Sequence, residues 1–153
     1  MTTPTTLDNL NAAFAGESMA HIKYLHFARI ARAHGDTATA EMFEATAAQE
    51  VQHALGHADL LFPAASLDPA QVLQLAIDGE THEYTEMYPS FYRAAVQEGQ
   101  DAAAGEFRGQ IGESRDHAEQ FKALLAKAAK RFAALAKVEE RHAQHYAERL
   151  ASR

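Results

Sequence analysis

Apolar residues recur at steps of three and four along almost the whole chain, and no stretch alternates with the period of two that a half-buried strand requires. The pattern predicts an all-α protein. Thr5 or Thr6 can cap a first helix running to about His34, with Gly35 ending it. Asp36 can cap a second helix from about 37 to Leu61, stopped by Pro63. Asp68 followed by Pro69 is an N-cap and first-turn pair for a third helix reaching about Gln97, with a bend expected at Pro89. After a break at Glu98–Gly99, Asp101 to Arg153 contains no proline; it reads as one very long helix or as two joined by a tight turn. At least four long helices in 153 residues suggest a single domain built as a four-helix bundle with an extended or additional C-terminal helix.

Several acids interrupt the apolar stripes. Leu7, Leu10, Phe14, Glu17, Tyr24 and Ala28 share one stripe of the first helix. On the second, Glu50 and His53 lie at i and i+3, with His57 a turn later, close to the stripe marked by Phe43, Ala47 and Leu55. On the third, Glu80 and Glu83 have the same spacing inside GETHEYTEMYP, residues 79–89. Taken singly, each has a plainer reading: Glu17 as a boundary side chain with its head in water, Glu-x-x-His as a chance surface pair, Glu86 as part of a solvated face. For Glu86 that reading stands; Glu17, Glu50, Glu80 and Glu83, taken together, resist it. An unpaired inward carboxylate costs roughly several kcal/mol, so carboxylates from three helices call for cations among them. Glutamate from two helices and Glu-x-x-His from two others is the ligand pattern of di-iron carboxylate bundles.

Composition narrows the chemistry. There is no cysteine, so disulfides, thiolate nucleophiles and cysteine-ligated zinc or iron–sulfur centres are excluded from this sequence, and a metal must be held by Glu, Asp and His. Iron or manganese suits such ligands, with zinc as a substitute. A formal net charge of −7 argues against nucleic acid as a partner. No apolar run approaches the ~20 residues of a membrane-spanning helix, and MTTPTTLDNL lacks the features of a signal peptide, so a cytoplasmic location is expected.

The segments AAFAGESMA (12–20), AAQEVQHALGH (47–57), GETHEYTEMYP (79–89) and LAKVEERHAQHY (135–146) resemble the rubrerythrins of the ferritin-like superfamily. The resemblance spans nearly the whole chain, and GETHEYTEMYP is its most distinctive piece. It implies a di-iron centre, oxo- or hydroxo-bridged when oxidised, with Glu17 as a terminal ligand, Glu50 as a bridging carboxylate and His53 as the neighbouring imidazole. Glu80 is implied as a ligand of the second metal. Glu83 resembles the extra glutamate between whose position and that of His53 one iron moves when the oxidation state changes. Tyr24 and Tyr88 match tyrosines that hydrogen-bond near the ligands. Many rubrerythrins also carry a rubredoxin domain with four cysteines; this sequence has none, so electrons are expected from a separate rubredoxin or flavoprotein.

The last helical motif occurs twice. FRGQIGESRDHAEQF (107–121) and FAALAKVEERHAQHY (132–146) align with a shift of 25 residues. The later copy has Glu139 and His142. The earlier has Ser114 in the glutamate's place, then His117, with Glu113 one position off. Residue identity favours Glu139 and His142. Geometry favours the earlier copy, because an antiparallel helix after Gly99 returns to the depth of Glu80 near Ser114 and His117. Glu139 lies 40 residues past that turn, roughly 60 Å along a straight helix. It could join the same carboxylates only if the chain folds back near 125–130 or the helix enters a second protomer by swapping.

The function expected from the resemblance is a non-haem di-iron peroxidase that reduces hydrogen peroxide to water in oxidative-stress defence, acting as a homodimer, with domain swapping as one route to it. The alternatives are a ferroxidase or iron-handling protein, which the same ligands permit, and a non-catalytic metal-binding helical bundle.

Overall fold

The structure, a computed structural model, describes residues 4–151, with side chains over that range except those of 132, 133, 136, 143 and 145–151. Among the described residues every regular element is helical, and the chain divides into two compact units, 1–67 and 68–153.

The first unit is an antiparallel hairpin of α1 (Thr6–Ala33) and α2 (Thr37–Leu61). Its ends are set by capping chemistry. The Thr5 hydroxyl accepts the Asp8 N–H at 3.2 Å, and the Asp8 carboxylate accepts the Thr5 N–H at 2.8 Å, so each side chain satisfies the other residue's otherwise unpaired backbone donor. Gly35 turns the chain at φ 78°, a conformation that costs glycine little. Asp36 then accepts the Thr39 N–H at 3.0 Å and starts α2. Ala28, Ala40, Ala47 and Ala54 are buried, and side chains this small let the two helices lie close together. Tyr24, Phe27 and Phe43 fill the wider part of the seam, with ring centroids 5.5 to 6.4 Å apart. Leu55, expected to mark the buried stripe, is instead 53% exposed; Ala54 and Ala58 take that side of α2.

The second unit packs α3 (Pro69–His82), a π-helical turn (Glu83–Met87) and α4 (Tyr88–Gln97) against α5 (Asp101–Ala151). Asp68 and Gln71 form a second capping box at 2.8 and 2.9 Å, and Pro69 occupies the first turn, where its missing N–H costs nothing. The irregularity expected at Pro89 falls just ahead of it. Proline supplies no N–H for the usual ladder, and the Tyr88 N–H donates to the Glu83 carbonyl five residues back, widening the turn that carries the motif's acids. Gly99, at φ 70°, ends α4. The open question about the C-terminal half resolves as one uninterrupted helix of 51 residues, about 77 Å long. Gly105, Gly109 and Gly112 do not break it, and it does not turn back near 125–130.

Candidate metal centre

In the first unit, Glu17 sits on the α1 stripe that also carries Phe14 and Tyr24, and Glu50 on the α2 stripe of Ala47 and Ala54. Both therefore face the seam. One donor atom each from Glu17, Glu50 and His53 lies within 4.8 Å of the others, a spacing that suits a single cation. His53 Nδ1 is 2.9 Å from Glu50 and 4.0 Å from Glu17. Glu50 is the most enclosed, with 18% of its side chain exposed against 59% for His53. A hydrogen bond from Glu17, then one from His53, holds the Glu50 carboxyl below the usual glutamate value, with burial opposing.

His21, which sequence reasoning did not single out, ties the two helices together here. Its Nδ1 is 2.7 Å from the Ala47 carbonyl. A carbonyl only accepts, so Nδ1 carries a proton and donates it across the seam. The available signal was its position one turn after Glu17 on the same stripe.

The second unit holds a matching group. His117 Nδ1 lies 3.3 Å from Glu80 Oε1, while Glu80 Oε2 is buried and has no hydrogen-bond partner. Ser114, only 4% exposed, donates its hydroxyl hydrogen to Glu83 Oε2 at 2.9 Å. Glu86 is exposed and pairs with His82 at 3.5 Å, the solvated role expected of it. Tyr88 stacks with Phe91 and Phe107 at centroid distances of 6.2 and 6.3 Å. Burial, followed by the negative charges of Glu83, Glu80, Glu106 and Glu113, raises its phenol above the ordinary tyrosine value, so it stays a proton donor at neutral pH.

The two copies of the C-terminal motif are now distinguished by position. His117 and Ser114 reach the Glu80 and Glu83 carboxylates; Glu113 is exposed. The expectation that Glu139 and His142 join these carboxylates is not met within this unit. Because α5 continues without a turn, Glu139 lies roughly 38 Å beyond Ser114 along the helix, and both later residues are exposed.

Each unit thus contributes two carboxylates and one imidazole, oxygen and nitrogen donors fit for iron or manganese, and the unpartnered Glu80 oxygen has the chemistry of a ligand. An all-helical chain with such groups belongs to the class of ferritin-like carboxylate–histidine metal proteins. The rubrerythrin family profile matches residues 8–125, and the chain belongs to the rubrerythrin family. The match ends inside α5, ahead of Glu139 and His142. Nigerythrin of Nitratidesulfovibrio vulgaris is 39% identical over 131 residues, covering 76% of this chain and 64% of its own length. Rubrerythrin of Porphyromonas gingivalis is 36% identical over 132 residues, covering 79% and 66%. The chain therefore spans a little under two thirds of the length of these relatives. A nigerythrin structure in a mixed-valence state aligns at 35% identity over 84% of this chain and 70% of that one, with a TM-score of 0.40.

Proposed function

We propose that this chain is a di-iron peroxidase that reduces hydrogen peroxide to water, with Glu17, Glu50, His53, Glu80, Glu83 and His117 holding the two iron ions. The observation that carries this reading is the pair of inward carboxylate–imidazole groups, one in each helical hairpin, in a member of the rubrerythrin family. Four carboxylates balance the four positive charges of two divalent ions, which removes the cost of the inward acids. A bound ferrous pair supplies the two electrons that cleavage of the peroxide O–O bond consumes. The two product waters also require two protons. The Tyr88 phenol, kept protonated by burial and by its acidic neighbours, is suited to donate one and to hydrogen-bond the oxygen that receives it. Tyr24, seven residues after Glu17 on the same stripe, takes the corresponding place in the first unit.

Electrons to restore the ferrous state come from an external donor, a rubredoxin or a flavoprotein. Apolar side chains left exposed on α1 and α2, Met19, Ile22 and Leu60 among them, favour a homodimer, which light scattering of the purified protein checks. Among the described residues no helix is long and apolar enough to cross a membrane. The activity is tested by stopped-flow oxidation of the diferrous protein. The expected result is oxidation by hydrogen peroxide much faster than by dioxygen. The reverse order would replace the peroxidase reading with that of a ferroxidase.

A further inference from the structure

In the first unit the helical motif is Glu50-x-x-His53, and with Glu17 it yields two carboxylates and one imidazole. In the second unit the equivalent motif on α5 is Ser114-x-x-His117, which supplies the imidazole but no carboxylate. The internal repeat makes the substitution explicit, since Ser114 aligns with Glu139 when 107–121 is laid on 132–146. The second unit nevertheless contains two carboxylates, because Glu83 is present in addition to Glu80. The Ser114 side chain is almost fully buried, and its hydroxyl is spent on Glu83 Oε2 at 2.9 Å.

We infer that Ser114 is a positioning residue that anchors the Glu83 carboxylate in the place a glutamate at 114 would otherwise fill, making Glu83 a standing ligand of the second metal. Three observations converge on this. Serine is too short to reach a metal that a glutamate at the same position would reach, yet it is the right length to hold the neighbouring carboxylate from behind. Its hydrogen bond occupies one oxygen of Glu83 and leaves the other free, the usual way a ligating carboxylate is oriented by a partner outside the coordination sphere. Charge gives the third. Within the second unit Glu80 and Glu83 already neutralise one divalent ion, and a third carboxylate at 114 would leave that group negative. Glu83 opens the π-helical turn, whose wider winding begins at the residue that must reach across to α5.

This inference rests on the dimetal reading above, and the experiment separates the two. The full-length protein, stripped of metal, is titrated anaerobically with Co²⁺, following heat and the visible absorption of the bound ion. Wild type takes up two ions per chain. Ser114→Ala, which removes only a buried hydroxyl, weakens the second ion by roughly 10- to 100-fold. Glu83→Gln leaves one tightly bound ion. Ser114→Glu combined with Glu83→Gln regains the second, because the carboxylate returns from α5. Fewer than two ions in wild type would overturn the dimetal reading and this inference with it. Two ions in wild type, with Ser114→Ala or Glu83→Gln binding the second as tightly, would overturn the inference alone. So would a double variant that folds, by its circular dichroism, and still binds one ion. If the double variant does not fold, Ser114→Ala and Glu83→Gln still decide the question.

Discussion

Glu80 keeps one carboxylate oxygen out of solvent with no hydrogen-bond donor beside it, and so works against the folding of the metal-free protein. Replacing it by leucine, of similar size, is expected to stabilise that form by about 1 kcal/mol while abolishing binding of the second metal. Calorimetric melting with and without chelator checks both. Wild type should melt higher with metal than without, and the variant should keep only the part of that rise that the first metal supplies. The opposing signs are the mark of a residue kept for ligation at a cost in stability. The half-buried position of Glu17 was legible in the sequence because a charged residue on an apolar stripe contradicts its own helix, whereas Glu50, Glu80 and Glu83 stood out only when the helices were counted together. Ser114 was not legible. In one dimension it reads as a lost ligand, and only the distance from its hydroxyl to Glu83 shows what it holds. His21 was hidden for a related reason: its partner is a backbone carbonyl, which carries no sequence signature.

The ends of the elements follow from local chemistry, which is why they could be read closely. Asp36, Asp68–Pro69, Gly35 and Gly99 each end or begin a helix where the sequence placed them. The α2 cap makes a pH prediction. The Thr39 backbone N–H, then the Thr39 side chain, holds the Asp36 carboxyl below its ordinary value. A group with a lowered folded-state pKa contributes stability that is full above its unfolded value and is lost as the pH falls through the folded one. Asp36→Asn keeps an acceptor at the cap but removes the titration, so its stability should fall less steeply than that of wild type over that acidic window in urea melts. A second element-scale prediction concerns α5. Gly109 is exposed in the interior of the helix, and an added Cβ would meet no atom within 4 Å. Gly109→Ala should therefore stabilise the protein by about 0.5–1 kcal/mol, read from the shift of its urea midpoint. The π-helical turn is the element the sequence did not foretell. Pro89 announces a disturbance, but either a kink or a widened turn absorbs a missing N–H, and the choice depends on packing against α5.

At the scale of the molecule, both units follow one scheme: a hairpin, a glycine-terminated turn, an aromatic trio, and two carboxylates with an imidazole facing the seam. The all-α class was legible because the apolar period is helical throughout. The roles of the two C-terminal motif copies were not, because residue identity and helix geometry point to different copies. A residue pattern records what could bind a metal; a helix of fixed rise decides what arrives at the same depth. The uninterrupted α5 places His117 beside Glu80 and carries Glu139 and His142 past it, into a stretch that the family match does not reach. Counting from the Gly99 turn, α3 to α4 can cover α5 only to about residue 130, so the later copy lies beyond its partners within the unit. If the metals are held as proposed, the double variant Glu139→Ala, His142→Ala should retain two iron ions per chain after anaerobic loading, measured by elemental analysis. His117→Ala should drop to about one, because an imidazole ligand is lost from the second ion. Loss of iron in the double variant with retention in His117→Ala would assign the ligating role to the later copy. It would also require that copy to reach its carboxylates by a route other than the hairpin of its own unit, as exchange of α5 between two protomers would provide.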